Sequence, residues 1–363
     1  MAANRASTLT TTLDAGAARS HVARAALTPS PVGAVGLELE FHLVDRSQPQ
    51  RAITWPELSE LMDGLTAMPV QSSITTEPGG QLELSSPPQR DVGDAIAVLR
   101  SDQRLLTQAV RQAGFGLASI GADPARPLRR VTPASRYAAM EQHFDAVGCG
   151  RPGREMMSST AALQVNLNAG PEVMWPARIA HIHNLGPMLV AMSACSPLLA
   201  GRASGWRSMR QQAWCGIDPG RSRRVPGIED PAQAWASYAL AAPVMLVREP
   251  DGSAAAVTDR VSFAQWAAGA SAMHRPPTID DLDYHLTTLF PPVRQRGYLE
   301  IRYLDAVPDQ WWPALATIVT TLIDDPVAAD SAADACRGIG NPGGTEDAWV
   351  RGARDGLGDR GLL

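Results

Sequence analysis

The stretch Val35-Gly36-Leu37-Glu38-Leu39-Glu40-Phe41-His42-Leu43-Val44-Asp45 alternates residue by residue between apolar and polar side chains. Successive side chains of a strand point to opposite faces, so Leu37, Leu39, Phe41 and Leu43 share one face and Glu38, Glu40 and His42 the other. The pattern predicts a strand over 35–45. Its polar face is either solvated or functional, and other strands decide between the two. Two neighbouring carboxylates repel each other, and a divalent cation is the simplest group that would relieve them.

Three more stretches repeat the pattern. In Gln81-Leu82-Glu83-Leu84-Ser85 the two leucines oppose Gln81, Glu83 and Ser85. In Leu163-Gln164-Val165-Asn166-Leu167-Asn168 three apolar residues oppose Gln164, Asn166 and Asn168. In Tyr298-Leu299-Glu300-Ile301-Arg302-Tyr303, Leu299 and Ile301 oppose Glu300 and Arg302. Four strands, each with a greasy side and a side of paired polar groups, can line an inner bowl if helices cover the greasy sides. Glu38, Glu40, Glu83 and Glu300 then meet in one cavity, as a hard-oxygen site for Mg²⁺ or Mn²⁺. Glu77, just before the turn Pro78-Gly79-Gly80, is a fifth candidate.

Helices are expected at 55–65, 91–114, 136–144 and 311–323, and at 175–194, where Pro187 kinks or divides the element. Residues 263–285 read as largely helical. A Gly-rich loop is expected at 148–153 and a long surface loop at 196–230, with further short strands at 115–120, 244–248 and 255–261. The expected architecture is one α+β domain, an antiparallel sheet curled into a bowl or funnel with helices outside. It has a flexible leader over 1–32, carrying at most a short helix around 21–27, a catalytic region over 33–335, and a Gly-, Asp- and Arg-rich tail without hydrophobic period over 336–363.

Composition narrows the chemistry. The 363 residues are 45% hydrophobic and 19% charged, enough for a sizeable core. A net charge of −5 argues against a nucleic-acid surface. All 32 basic residues are arginine. Codon bias accounts for the missing lysine, but the chemical consequence holds: no Walker-type phosphate loop, no Schiff base and no catalytic lysine. Phosphate or carboxylate must be met by arginine, metal or backbone N–H groups. Four scattered cysteines, none in a C-x-x-C pair, suggest reduced thiols in a cytoplasmic protein. The sequence shows no signal peptide and no apolar run long enough for a membrane span.

Several motifs taken together resemble glutamate–cysteine ligase, in the branch shared by plant enzymes and the bacterial ergothioneine-pathway enzyme. They are Gly36 to Glu40, Glu77-Pro78-Gly79-Gly80-Gln81-Leu82-Glu83-Leu84-Ser85, Gln164 to Leu167, Leu286 to Arg294 and Tyr298 to Arg302, with Arg136-Tyr137, Met140-Glu141-Gln142 and Ser208-Met209-Arg210. The match runs from about 33 to about 334. The resemblance implies the glutamine-synthetase-like superfamily. It also implies ATP-dependent joining of the glutamate γ-carboxylate to the amine of L-cysteine through a γ-glutamyl phosphate. On that basis Glu38, Glu40, Glu83, Glu300 and Glu77 are the expected metal carboxylates, with Glu83 also counted as catalytic. Arg302 is the catalytic arginine on the transferring phosphoryl group. Arg136 and Arg210 are arginines on the substrate side, and Gln164 and Asn166 line the substrate and nucleotide cavity. The expected ligands are glutamate, cysteine, ATP and Mg²⁺ or Mn²⁺, with neither nucleic acid nor membrane as partner. Relatives continue past Leu322-Ile323-Asp324-Asp325-Pro326 with further helices, so the Gly-rich tail is expected to be truncated or disordered.

Other functions fit the same residues: a different carboxylate–amine ligase, a guanidino-type phosphotransferase, or an inactive shortened paralogue. Several residues carry a plainer expectation. His181 and His183, two apart on a helix, face different ways and serve structure or surface. Trp311-Trp312 reads as core, Cys215 as a small apolar residue, and Arg129-Arg130 and Arg221 to Arg224 as solvated charge runs.

Overall fold

The computed structural model describes residues 13–227, 229–337, 339 and 344–362. Its strands are β1 (Val35–Asp45), β2 (Ser73–Thr76), β3 (Leu82–Ser85), β4 (Phe115–Ala118), β5 (Ala162–Leu167), β6 (Leu198–Leu199), β7 (Arg202–Ala203), β8 (Leu246–Arg248), β9 (Ala254–Ala256), β10 (Val293–Gln295) and β11 (Leu299–Asp305). Its helices are α1 (Ala15–Ala26), α2 (Trp55–Leu65), α3 (Val92–Gln112), α4 (Ser135–Ala146), α5 (Gly150–Ser159), α6 (Trp175–Ser193), α7 (Met209–Gly216), α8 (Pro219–Ser222), α9 (Pro231–Ala241), α10 (Phe263–Ala267), α11 (Ile279–Leu286), α12 (Trp312–Asp324), α13 (Pro326–Cys336) and α14 (Gly344–Asp355).

β1 is central to a seven-stranded antiparallel sheet of order β10-β11-β5-β1-β3-β2, with β4 pairing the C-terminal half of β1. The four strands with alternating patterns therefore lie side by side. On one face Leu37, Leu39, Phe41, Leu82, Leu84, Leu163, Val165, Leu299 and Ile301 are fully buried. α3, α6 and α12 pack over that face. Each leucine buried there stabilises the fold by about 1.5–3 kcal/mol, so the register is strongly specified: a one-residue slip would turn the leucines into the polar face.

Local chemistry sets the covering helices. Asp91 caps α3, its carboxylate accepting from the Asp94 N–H at 2.9 Å. Thr54 and Glu57 form a capping box ahead of α2, with proline at its start. α6 runs unbroken through Pro187, where the pattern allowed a break.

Several expectations are corrected. The leader carries a full helix, α1, capped by Asp14, with Ala18, Val22 and Ala26 buried against α9. Its first twelve residues lie outside the described set. The Gly-rich segment at 148–153 runs into α5, whose glycines let it lie close against Phe144 of α4. Residues 196–230 form the β6–β7 ribbon, α7 and α8 rather than a surface loop. Arg221 is buried there, not solvated: it donates to the Thr288 and Pro243 carbonyls and lies 3.6 Å from Asp218. Residues 263–285 hold two short helices, α10 and α11, with Pro276-Pro277 between them.

The tail is a further correction. α13 ends at Cys336, and α14 packs on α6 with Ala348 and Ala353 buried. The Trp349 ring meets Tyr303 edge-on at 4.9 Å. The N–H groups of Arg207 and Ser208 donate to the carbonyls of Arg354 and Ala353. The contact seats the Trp349 ring over Gly186 of α6, between the small buried residues Ala348 and Ala353, so one large side chain carries it and no run of apolar residues announced it. Residues 338, 340–343 and 363 of the tail lie outside the described set. Of the tryptophan pair, Trp312 is core and Trp311 is exposed.

Candidate active site

The sheet's polar face opens into a cavity of about 350 Å³. Register accounts for most of its lining. Glu38 lies opposite Gln164 on one side and Ser85 on the other, and Glu40 lies opposite Glu83. Glu300 lies between Asn166 and Arg294. A β-bulge between Ile301 and Leu304 interrupts the ladder beside Arg302. Glu77 enters from the β2–β3 turn, which the backbone closes by donation from the Gly80 N–H to the Glu77 carbonyl. Only glycine fits there. A Cβ on Gly79 would lie 2.1 Å from the Ser158 carbonyl oxygen, and Gly80 has φ of +85°. Arg136 comes from α4 and Arg210 from α7.

Every candidate residue but one lines this cavity. The exception is Asn166, whose side-chain amide donates to Glu38 at 2.8 Å. Glu40 accepts from the Ala162 N–H and the Gln164 amide. Glu83 accepts from Thr75 and Ser85 hydroxyls. Arg136 donates to the Thr287 carbonyl and lies over the Tyr284 ring. His42, on the same face by parity, sits buried outside the lining, and burial brings its pKa down to about 4.

The cavity has two electrostatic halves. On β1, β3 and the β2–β3 turn, Glu38, Glu40, Glu77 and Glu83 crowd together. Burial, then repulsion from Glu83 and Glu300, pushes Glu38 up to about 7. Burial and Glu83 do the same to Glu77. Glu40 is raised well above the usual carboxylate range by burial and by Glu77 and Glu83. On β10 and β11 the balance reverses. Glu300 accepts from Arg294 at 2.5 and 3.0 Å and from Arg302 at 2.9 Å. Burial alone would raise it, but Arg302 and Arg294 prevail and bring it down to about 2. Arg302 also donates to the Gln164 side-chain amide oxygen Oε1.

These donors suit a hard divalent cation, and the raised carboxylates are those a cation would return to the charged form. Among the described residues, however, no three His, Cys, Asp or Glu side chains are close enough to form a cage. The arrangement fits Mg²⁺, which is usually held by one or two carboxylates together with waters and substrate phosphates.

Sequence patterning missed several lining residues: Tyr137, Trp214, Phe290, Arg294 and Arg296. Arg294 had a usable signal, since it precedes Glu300 by the span of a tight hairpin. Trp214 and Phe290 come from segments without a period. A second cavity of about 300 Å³ adjoins the first, sharing Arg210, Trp214, Phe290 and Arg302, and α14 closes it with Trp349, Val350 and Ala353.

The model of Glutamate-cysteine ligase family 2 matches residues 34–363. The glutamate–cysteine ligase EgtA of Mycolicibacterium smegmatis is 49% identical over 348 residues, 95% of this chain and 80% of that protein. A chloroplastic glutamate–cysteine ligase of rice is 29% identical over 287 residues, 77% of this chain and 57% of that protein. The crystal structure of glutamate–cysteine ligase from Francisella tularensis in complex with AMP shares the fold, with a TM-score of 0.53 at 12% identity, covering 90% of this chain and 72% of that one. Among the described residues no helix is long and apolar enough to cross a membrane. The chain belongs to glutamate–cysteine ligase family 2.

Proposed function

We propose that this protein joins the γ-carboxylate of glutamate to the amine of L-cysteine at the expense of ATP, giving γ-glutamylcysteine for ergothioneine biosynthesis in the cytoplasm. One observation carries the reading: five glutamates and five arginines, drawn from several elements, line a single cavity over the polar face of the sheet. The reading includes a sheet curled into a bowl, as in the glutamine-synthetase-like superfamily.

In the first step a glutamate γ-carboxylate oxygen attacks the γ-phosphorus of ATP, the bond to the β-phosphate oxygen breaks, and ADP leaves. In the second the cysteine amine attacks the acyl carbon of the γ-glutamyl phosphate, loses a proton, and phosphate departs. Phosphoryl transfer of this kind needs alignment and charge neutralisation more than covalent help. A divalent cation, Mg²⁺ or Mn²⁺, held by Glu38, Glu40, Glu77 or Glu83 with Glu300 facing them, would neutralise the phosphates. Arg302 suits the transferring phosphoryl group: its Nη1 is fixed by Glu300 and Gln164, while its Nε finds no acceptor among the described residues. Arg136 and Arg210 offer planar forks for substrate carboxylates. Gln164 and Asn166 hold Glu40 and Glu38 in place. Arginine and glutamate supply the whole set, so the missing lysine is no obstacle.

The test is turnover by the purified chain with glutamate, cysteine, ATP and Mg²⁺. The expected result is ADP and γ-glutamylcysteine in equal amounts, both dependent on cysteine. A higher kcat/KM with another amine would make it a different carboxylate–amine ligase. ADP formation with a guanidino compound alone would make it a phosphotransferase. Mg-ATP binding without turnover would make it an inactive paralogue.

A further inference from the structure

Asp305 ends β11, three residues past Arg302, and is fully buried outside the cavity lining. Its carboxylate accepts from the Ser196 hydroxyl at 2.5 Å, the Ser208 hydroxyl at 2.7 Å and the Cys195 N–H at 3.3 Å. Nothing larger than glycine fits beside it, because a Cβ on Gly121 would lie 2.4 Å from the Asp305 carboxyl carbon. The two serines lead to the site. Ser208 caps α7, its hydroxyl oxygen accepting from the Gln211 N–H at 3.0 Å. Ser196 accepts from the Arg210 N–H at 3.4 Å, and its carbonyl accepts from the Met209 N–H. The first turn of α7 is thus strapped to one buried carboxylate on the strand that carries Glu300 and Arg302.

Arg210 is the residue this strap presents. It is only 3% exposed, and its Nε and Nη1 find no acceptor among the described residues. Its Nη2 donates to the Arg302 carbonyl at 2.6 Å, and its guanidinium lies over the Trp214 ring. Burial disfavours the Arg210 charge, and Asp305 and Glu40 are the anions that oppose this loss. A buried cation with two unpartnered nitrogens, Nε and Nη1, needs an anionic partner at hand, and it needs a fixed place to wait for one.

We propose that Asp305 is the positioning residue of the site: through Ser196 and Ser208 it sets the α7 N-terminus, and so aims Arg210 at the carboxylate of the amino-acid substrate. The inference rests on the substrate role of Arg210 in the function proposed above, and the test separates the two.

The experiment measures kcat and KM for glutamate at saturating Mg-ATP and cysteine in Arg210→Ala, Asp305→Asn, Asp305→Ala and Ser208→Ala. If Arg210 meets the substrate carboxylate, R210A raises KM for glutamate by roughly 10- to 150-fold, as loss of a charge-assisted contact worth about 1.5–3 kcal/mol requires. D305N, which keeps the shape and one acceptor oxygen, is expected to raise KM for glutamate about tenfold while KM for ATP stays within twofold. D305A should exceed it, and S208A should raise the same constant less. An unchanged KM for glutamate in R210A overturns the substrate role of Arg210. A raised KM in R210A with unchanged KM in D305N and D305A overturns the positioning role alone. Should both Asp305 variants fail to fold, S208A together with Ser196→Ala decides by the same KM split: lower kcat at unchanged KM means Asp305 holds the fold only.

Discussion

The two halves of the cavity face each other across β5 and solve one electrostatic problem in opposite ways. On the β1–β3 side four glutamates lie together, and burial with mutual repulsion raises Glu38 and Glu77 to about 7. On the β10–β11 side Glu300 is more deeply buried, yet Arg294 and Arg302 hold it near 2. Burial is common to both, so counter-charge makes the difference. The arginine half carries its own partners and is folded for stability. The acidic half lacks them, and it is there that the proposed function places a cation arriving with substrate.

That contrast can be broken by substitution. Glu300→Gln should be the most damaging to stability, on the order of 3–5 kcal/mol, because it leaves buried guanidinium groups unpaired. The check is chemical denaturation without metal or nucleotide. Glu83→Gln or Glu38→Gln should act the other way. Each removes a repulsive buried charge, so metal-free stability holds or rises, while ligation falls by about 100-fold or more, since even partners of metal ligands cost about 10- to 100-fold when replaced. A Glu38→Gln or Glu83→Gln enzyme ligating at the wild-type rate would remove the metal assignment. Arg302→Lys keeps the charge but loses the fork. It should lower kcat by about 10- to 100-fold with little change in folding, and full activity would end its phosphoryl role.

The smallest effect is the pH response. Glu38 and Glu77 have raised folded-state pKa values, so their contribution favours the fold at pH below about 4.5 and is lost as pH rises through about 7. Glu300 has the opposite sign, but its window lies between about 4.5 and 2 and does not interfere. Four buried histidines, His42, His143, His183 and His285, have lowered pKa values and push the total the other way over pH 5.5–8, so the acidic half shows as a difference: relative to Glu38→Gln, the wild-type midpoint of thermal unfolding without metal should fall by several degrees between pH 5.5 and pH 8. Added Mg²⁺ or Mn²⁺ should recover more of it at pH 8 than at pH 5.5. A difference between wild type and Glu38→Gln that does not change with pH over that range would contradict the crowding of the acidic half.

Much of this was legible because β-strands advertise themselves. Strict alternation in 35–45, 81–85, 163–168 and 298–303 marked the four strands and the face each glutamate would take, and a single antiparallel register then brings those faces together. What stayed hidden was held by other means. Arg221, and Arg210 but for the family resemblance that singled it out, sit in Gly- and Pro-rich sequence that reads as surface, and are buried because backbone carbonyls and Asp218 or Asp305 receive them. α1 packs through Ala18, Val22 and Ala26 and α14 through Trp349 with Ala348 and Ala353, mostly small side chains that give only a weak hydrophobic period. Asp305 was invisible for a further reason: its partners Ser196 and Ser208 lie about a hundred residues away, and no local pattern joins them.

The most direct test of the contrast is Mn²⁺ binding followed by electron paramagnetic resonance, with and without a non-hydrolysable ATP analogue, in the wild-type chain and in Glu38→Gln and Glu83→Gln. The account predicts tight binding by the wild type only when the nucleotide is present, weakened at least about tenfold by either substitution. Equal Mn²⁺ affinity in all three proteins, or none in the wild type with nucleotide bound, would contradict it.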